Sequence, residues 1–105
     1  MAWVYLILAG LTEIGWPLGM KIAQTASLKW PGILMAIGFM ALSGTFLFLA
    51  QKHIPLGTAY AVWSGIGAAG TFLVGVMVFG DATSLMRYVG ILLIISGVAV
   101  LKLAH

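Results

Sequence analysis

Four apolar stretches follow one another along the chain, separated by short polar breaks. The first runs from Trp3 to Met20 and is interrupted only by Thr12 and Glu13. Lys21 closes it, and residues 22–29 read as a loop. The second runs from Pro31 to Ala50, with Pro31 suited to a first helical turn, where its missing N–H is no loss. Gln51-Lys52-His53-Ile54-Pro55 makes a tight break before the third, Leu56 to Phe79. Gly80-Asp81-Ala82-Thr83-Ser84 is rich in residues that cap a helix N-terminus, and the fourth stretch follows from Leu85 to Ala104. The apolar runs are continuous rather than alternating, which predicts helices and excludes barrel strands. Each is close to the ~20 residues a helix needs to cross about 30 Å of hydrocarbon. The predicted fold is an all-α membrane protein, a single four-helix domain over residues 1–105. The uncharged centre of the last span, Tyr88 to Leu101, is short, so Arg87 and Lys102 are expected to snorkel to the interfaces.

Composition closes off the other classes. Of 105 residues, 63% are apolar and 7% charged, and the mean hydropathy is +1.18. A soluble domain carries about a quarter charged residues. So few charges cannot cover the large surface of a small soluble protein. Disorder requires the opposite composition. With no cysteine, disulfides, thiolate metal sites and cysteine nucleophiles are excluded. The first stretch lacks a basic leader and contains a carboxylate, so it reads as a span rather than a signal peptide. Trp3, Tyr5, Trp30 and Tyr88 lie near span ends, where aromatic rings favour the interface.

The net charge of +3 forms no basic cluster, so no nucleic-acid partner is expected. The cations sit near span ends instead. Four spans place Lys52 and Lys102 on one side of the bilayer and Lys21, Lys29 and Arg87 on the other. Orientation follows from cation bias, and two against three is almost none. Both orientations are therefore open to the chain, and an antiparallel dimer is physically available.

Glu13 is the central chemical feature. It lies about two-thirds along the first span, where a carboxylate costs about 2.5–3.5 kcal/mol on insertion scales. No basic residue lies at matching depth. Glu13 is then either protonated or facing a cavity that holds water or a cation, a setting that suits proton exchange. The plainer alternative is a protonated structural Glu bonded to a neighbouring helix. Gly10, Glu13, Trp16, Pro17 and Met20 recur at spacings of three and four and share one face. Pro17 has no N–H for the carbonyl of Glu13, which predicts a kink beside the carboxylate. Gly15 and Gly19 form a step of small residues suited to close helix packing.

In the third span Tyr60 and Trp63 project from one face, with Thr58 and Ser64 nearby. Aromatic faces attract organic cations and their polar tips bond carboxylates, although such pairs often serve packing alone. Gly65 to Gly70 weakens this helix where it can bend, and Gly67, Thr71 and Gly75 make a small stripe for another helix. In the second span Ser43 and Thr45 are the main polar side chains, and such hydroxyls usually bond back to their own helix. Gly90 and Gly97 mark the fourth span as a packing helix and candidate dimer contact. His53 and His105 have no second ligand at metal spacing, so no metal site is expected. Asp81, in a polar loop, reads as a cap rather than a site.

Taken together, Glu13, the run Gly57-Thr58-Ala59-Tyr60-Ala61-Val62-Trp63-Ser64-Gly65-Ile66-Gly67 and the pair Gly90 and Gly97 resemble the small multidrug resistance transporters across nearly the whole chain. Trp16 three residues after Glu13, Ile66-Gly67-Ala68 and the ending Leu101-Lys102-Leu103 look like the SugE-type guanidinium exporter branch. The resemblance implies an antiparallel, dual-topology homodimer in the bacterial inner membrane. It implies exchange of protons for a small organic cation by alternating access, with protons as the coupling ion and no cofactor. By it, Glu13 binds proton or substrate, and Gly10, Trp16, Ser43, Tyr60 and Trp63 line or support that site. Gly65 and Gly67 permit the bend, and Gly90 and Gly97 hold the dimer. Pro17 and Asp81 depart from the family pattern, and Pro17 reshapes the wall of the Glu13 pocket.

The leading expectation is a proton-coupled exporter of guanidinium-type cations. Alternatives are the same machine exporting quaternary ammonium or other lipophilic cations, a small subunit that transports nothing, and a passive cation or proton leak. An enzyme is not expected.

Overall fold

The computed structural model describes residues 1–104, so His105 lies outside the described residues. Four helical spans run through 2–23, 26–51, 56–79 and 85–104, each long and apolar enough to cross a bilayer. The first is divided into α1 (Ala2–Glu13) and α2 (Gly15–Ala23). A 3-10 turn over Ala26–Leu28 leads directly into α3 (Lys29–Gln51). α4 covers Leu56–Phe79 and α5 covers Leu85–Ala104. Residues 22–29, expected as a loop, are mostly helical. α2 extends through Ile22 and Ala23 and α3 begins at Lys29, with the 3-10 turn between them, so only Gln24 and Thr25 lie outside helical turns.

The break between α1 and α2 falls beside the carboxylate, as Pro17 predicts. The carbonyl of Glu13 has no N–H four residues on. The Ile14 N–H instead donates to Leu11 at 3.3 Å, and the helix resumes with Leu18 N–H on Ile14 at 3.4 Å. Ile14 itself keeps helical angles (φ −61, ψ −33), and the break shows in the hydrogen bonding on either side of it.

Close approach of small residues organises the packing. A Cβ at Gly19 would lie 2.7 Å from the Ala36 nitrogen and 2.8 Å from the Gly32 oxygen. One at Gly32 would lie 2.4 Å from the Ala23 nitrogen. α2 and α3 therefore touch backbone to backbone, which is how helices gain contact where lipid removes the hydrophobic drive. α1 also packs on α4, and α5 packs on α4 alone among the described elements. The order across the slab is thus α3, then α1 with α2, then α4, then α5, within 45 × 34 × 16 Å.

The buried apolar side chains are few and mostly small: Leu6, Ala9, Ala36, Ala50, Ile54, Ala59, Val62 and Ala69. Large apolar residues such as Leu34, Met77, Leu92 and Leu93 face outward. In water that surface is untenable; in a bilayer it is the lipid contact. α5 buries no residue at all, and a Cβ at Gly90 or Gly97 would meet nothing within 4 Å.

These contacts give a paired expectation. Gly19→Ala forces a methyl against backbone and should destabilise the fold by about 1–3 kcal/mol. Gly38→Ala should be near neutral, because nothing lies within 4 Å of the added atom. Unfolding titrations in detergent micelles compare the two, and equal stabilities would contradict the close approach.

Candidate functional site

Glu13 ends α1, half-buried, at the break that Pro17 enforces. Trp16 stands one turn later, and its Nε1–H donates to Glu13 Oε1. The other oxygen, Oε2, is buried and has no hydrogen-bond partner among the described residues. No cation pairs with the carboxylate, since no salt bridge forms among the described residues. One oxygen is held and the other is uncommitted, which leaves the carboxylate oriented and unsatisfied.

α4 supplies the facing wall. A Cβ at Gly67 would lie 2.5 Å from Glu13 Cγ, so only glycine admits the carboxylate side chain at this depth. An open groove of about 590 Å³ runs along the contact. Glu13, Trp16 and Pro17 form one wall, with Tyr60, Trp63, Ser64, Gly67 and Thr71 opposite. The Tyr60 and Trp63 rings are tilted at 53° with centroids 5.4 Å apart. Tyr60 is 55% exposed and its hydroxyl has no partner among the described residues. Such rings offer their negative faces to a cation.

Three spans are tied together behind the rings. Trp63 Nε1–H donates to Ser43 Oγ at 2.8 Å, and Ser43 donates to the Ala9 carbonyl at 2.7 Å. Ser43 is 1% exposed, so both bonds are sheltered from lipid and water. The chain Trp63–Ser43–Ala9 sets the Trp63 ring relative to the turn that precedes Glu13. Thr45, by contrast, bonds back to Ala41 at 2.8 Å within its own helix.

A family model described as Small Multidrug Resistance protein matches residues 1–94. The chain belongs to the small multidrug resistance family. It is 44% identical over 104 residues to a protein of Yersinia pestis named "Guanidinium exporter", covering 99% of each chain. Proteins of the same name from Proteus vulgaris and Escherichia coli K12 are 41% and 38% identical over the same length. Family and spans together make this a multi-pass integral membrane protein and a transporter rather than an enzyme; in bacteria such a protein sits in the inner membrane.

Within that frame the structure sorts the residues singled out from the sequence. Glu13, Trp16, Tyr60 and Trp63 share the groove. Ser43 stands behind it and reaches it through Trp63. Gly10 does not line the groove. It is buried against α4, where a Cβ would lie 2.7 Å from Ile66 Cβ, so its small size serves helix contact. Gly65 and Gly67 lie within α4, which runs as one helix from Leu56 to Phe79. Both glycines sit at close contacts: Gly65 against Val98 of α5 and Gly67 against Glu13. In the stripe of Gly67, Thr71 and Gly75, Gly67 meets α1 at Glu13, as a row of small residues on a packing face should. The stripe faces the two carboxylates, Glu13 and Asp81. Asp81 is also not a cap, because Ser84 Oγ accepts the Arg87 N–H at 3.2 Å and fills that role. The sequence signal that could have found Gly67 as the cradle is its place in a small-residue stripe, but only the packing shows what it faces.

Ser43→Ala should leave the Trp63 N–H without its acceptor and cost about 1–3 kcal/mol of stability. Trp63→Phe added to that background should cost little more, since the stranded donor is gone. A double-mutant cycle on detergent unfolding measures the coupling, and additive losses would contradict it.

Proposed function

We propose that this protein is a proton-coupled antiporter that exports guanidinium-type cations by alternating access. The observation that carries the reading is Glu13, one oxygen held by Trp16 and the other buried and uncommitted, in a groove walled by aromatic rings. A guanidinium is flat and bears in-plane N–H donors, so it can donate to Oε2 while its face lies on a ring. A proton on the same oxygen removes the charge that draws the cation. Substrate and proton then exclude one another, and that exclusion couples their movements. The relatives named as guanidinium exporters support the same substrate class.

Quaternary ammonium ions are the second reading. They lack N–H donors and would engage the rings and the charge alone, leaving Oε2 without a bond. That difference favours guanidinium-type cations. Two copies in antiparallel orientation would each contribute a Glu13. The bare face of α5, with Gly90 and Gly97 open, supports the dimer contact expected there, and the two-to-three cation division supports dual topology.

Glu13→Gln should abolish uphill transport in proteoliposomes while leaving a folded protein, because it keeps size and hydrogen bonding but carries no titratable proton. Uphill movement driven by a proton gradient in this variant would overturn the mechanism. For the unsubstituted protein, guanidinium affinity should rise with pH and level off once the carboxyl is ionised. The sign follows because only the carboxylate attracts a cation, and binding should release protons at intermediate pH. Binding followed by tryptophan fluorescence, or currents on solid-supported membranes, checks both. A pH-independent curve, or stronger currents with tetraethylammonium than with guanidinium, counts against the assignment.

Topology has its own measurement. A cysteine placed at His53, exposed in the turn between α3 and α4, labelled from one side and then the other in intact cells, should react from both. Labelling from one side alone would rule out the antiparallel dimer.

A further inference from the structure

Beyond Glu13, the second acidic residue of the chain, Asp81, is left without a role by everything above. Gly80 ends α4 in the left-handed region (φ 68), a conformation that glycine adopts without strain. The turn folds the chain back, and the Asp81 N–H donates to the Gly75 carbonyl at 3.0 Å. This lays the Asp81 side chain on α4, where a Cβ at Gly75 would lie 2.4 Å from Oδ2. The carboxylate is exposed and takes no hydrogen bond among the described residues. It lines the same groove as Glu13, at the end nearest the loop.

The two carboxylates are therefore placed alike on one helix, Glu13 against Gly67 and Asp81 against Gly75. Eight residues of helix separate those glycines, roughly 12 Å of axial rise. Thr71, between them, lines the groove. Among the described residues, neither Arg87, which lines a cavity with Asp81, nor Lys21 forms an ion pair with that carboxylate. Arg87 Nη1–H donates to the Ala82 carbonyl at 2.5 Å. Lys21 shares with Asp81 an adjoining cavity of about 180 Å³, beside Pro17 and Gly75, without forming an ion pair.

We propose that Asp81 is a substrate-positioning carboxylate, holding the incoming organic cation at the loop end of the groove before it passes to Glu13. This rests on the antiport reading of the groove. The division of labour follows from burial. Glu13 has an uncommitted oxygen sheltered from water and binds in exchange for a proton. Asp81 is exposed and acts through charge on a cation still partly hydrated, so it governs capture and not coupling. Lys21 opposes it, repelling the same cation from the adjoining cavity.

Guanidinium uptake into proteoliposomes, measured against concentration and ionic strength, tests this. Asp81→Asn should raise KM about threefold to tenfold, with the maximal rate and proton coupling retained and the salt dependence of uptake weakened, as expected for lost electrostatic steering. Asp81→Glu should restore most of the affinity. Lys21→Gln should shift KM the opposite way. Gly75→Ala keeps the charge but displaces the carboxylate, and should raise KM to a smaller degree. Unsubstituted KM and salt dependence in Asp81→Asn, with the parent protein active, would overturn this proposal alone. A parent protein that moves no guanidinium would overturn the antiport reading and this proposal with it.

Discussion

A carboxylate in the hydrocarbon layer is the constraint on which the rest of this structure depends. Left in lipid, the charge of Glu13 costs several kcal/mol, and no cation of the chain reaches it. The fold manages it locally. Pro17 interrupts the helix at Ile14, Trp16 donates to one oxygen, and Gly67 opens the facing helix to take the side chain. None of these neutralises the group. They orient it and leave Oε2 buried and unsatisfied. The cost of burial and the exchange proposed for this site have one origin, the uncommitted oxygen.

Around that point the molecule is held by contacts that lipid does not weaken. Gly19 and Gly32 bring α2 and α3 together backbone to backbone, and Gly10 makes room in α1 for the Ile66 side chain. The bonds from Trp63 to Ser43 and from Ser43 to Ala9 run across three spans. They orient an aromatic wall from behind while its face stays open to the groove. The Trp63 ring that faces the groove is thus positioned by residues that stand behind it. At the far edge, α5 rests on α4 alone and presents open glycines.

Much of this was legible in the sequence. The four apolar runs required four membrane helices, because only helices or closed barrels satisfy their backbone in lipid. Glu13 announced itself as a single carboxylate within a span. Pro17 predicted the break beside it, and the spacing of Glu13 and Trp16, and of Tyr60 and Trp63, put each pair on one face. These properties are set by composition, by helical period or by the chemistry of one residue, and neighbours along the chain suffice to read them.

What depended on distant residues was settled only by the fold. Gly10, read as giving room to the site, gives it to Ile66, while Gly67, read as a hinge, gives it to Glu13. A glycine's lack of a side chain is visible in the sequence, but what occupies the vacated space comes from another helix. Ser43 and Thr45 look alike in the chain, yet one bonds across to Ala9 and the other back to Ala41, because only Ser43 faces a helix close enough to accept. Asp81 read as a cap until the turn at Gly80 laid it on Gly75, and Ser84 took the cap instead. The sequence by itself determined which residues carry charge, hydroxyl or ring and at what depth. The tertiary structure decided which of them face one another, since that depends on how four helices approach across the bilayer and not on the period of any one of them.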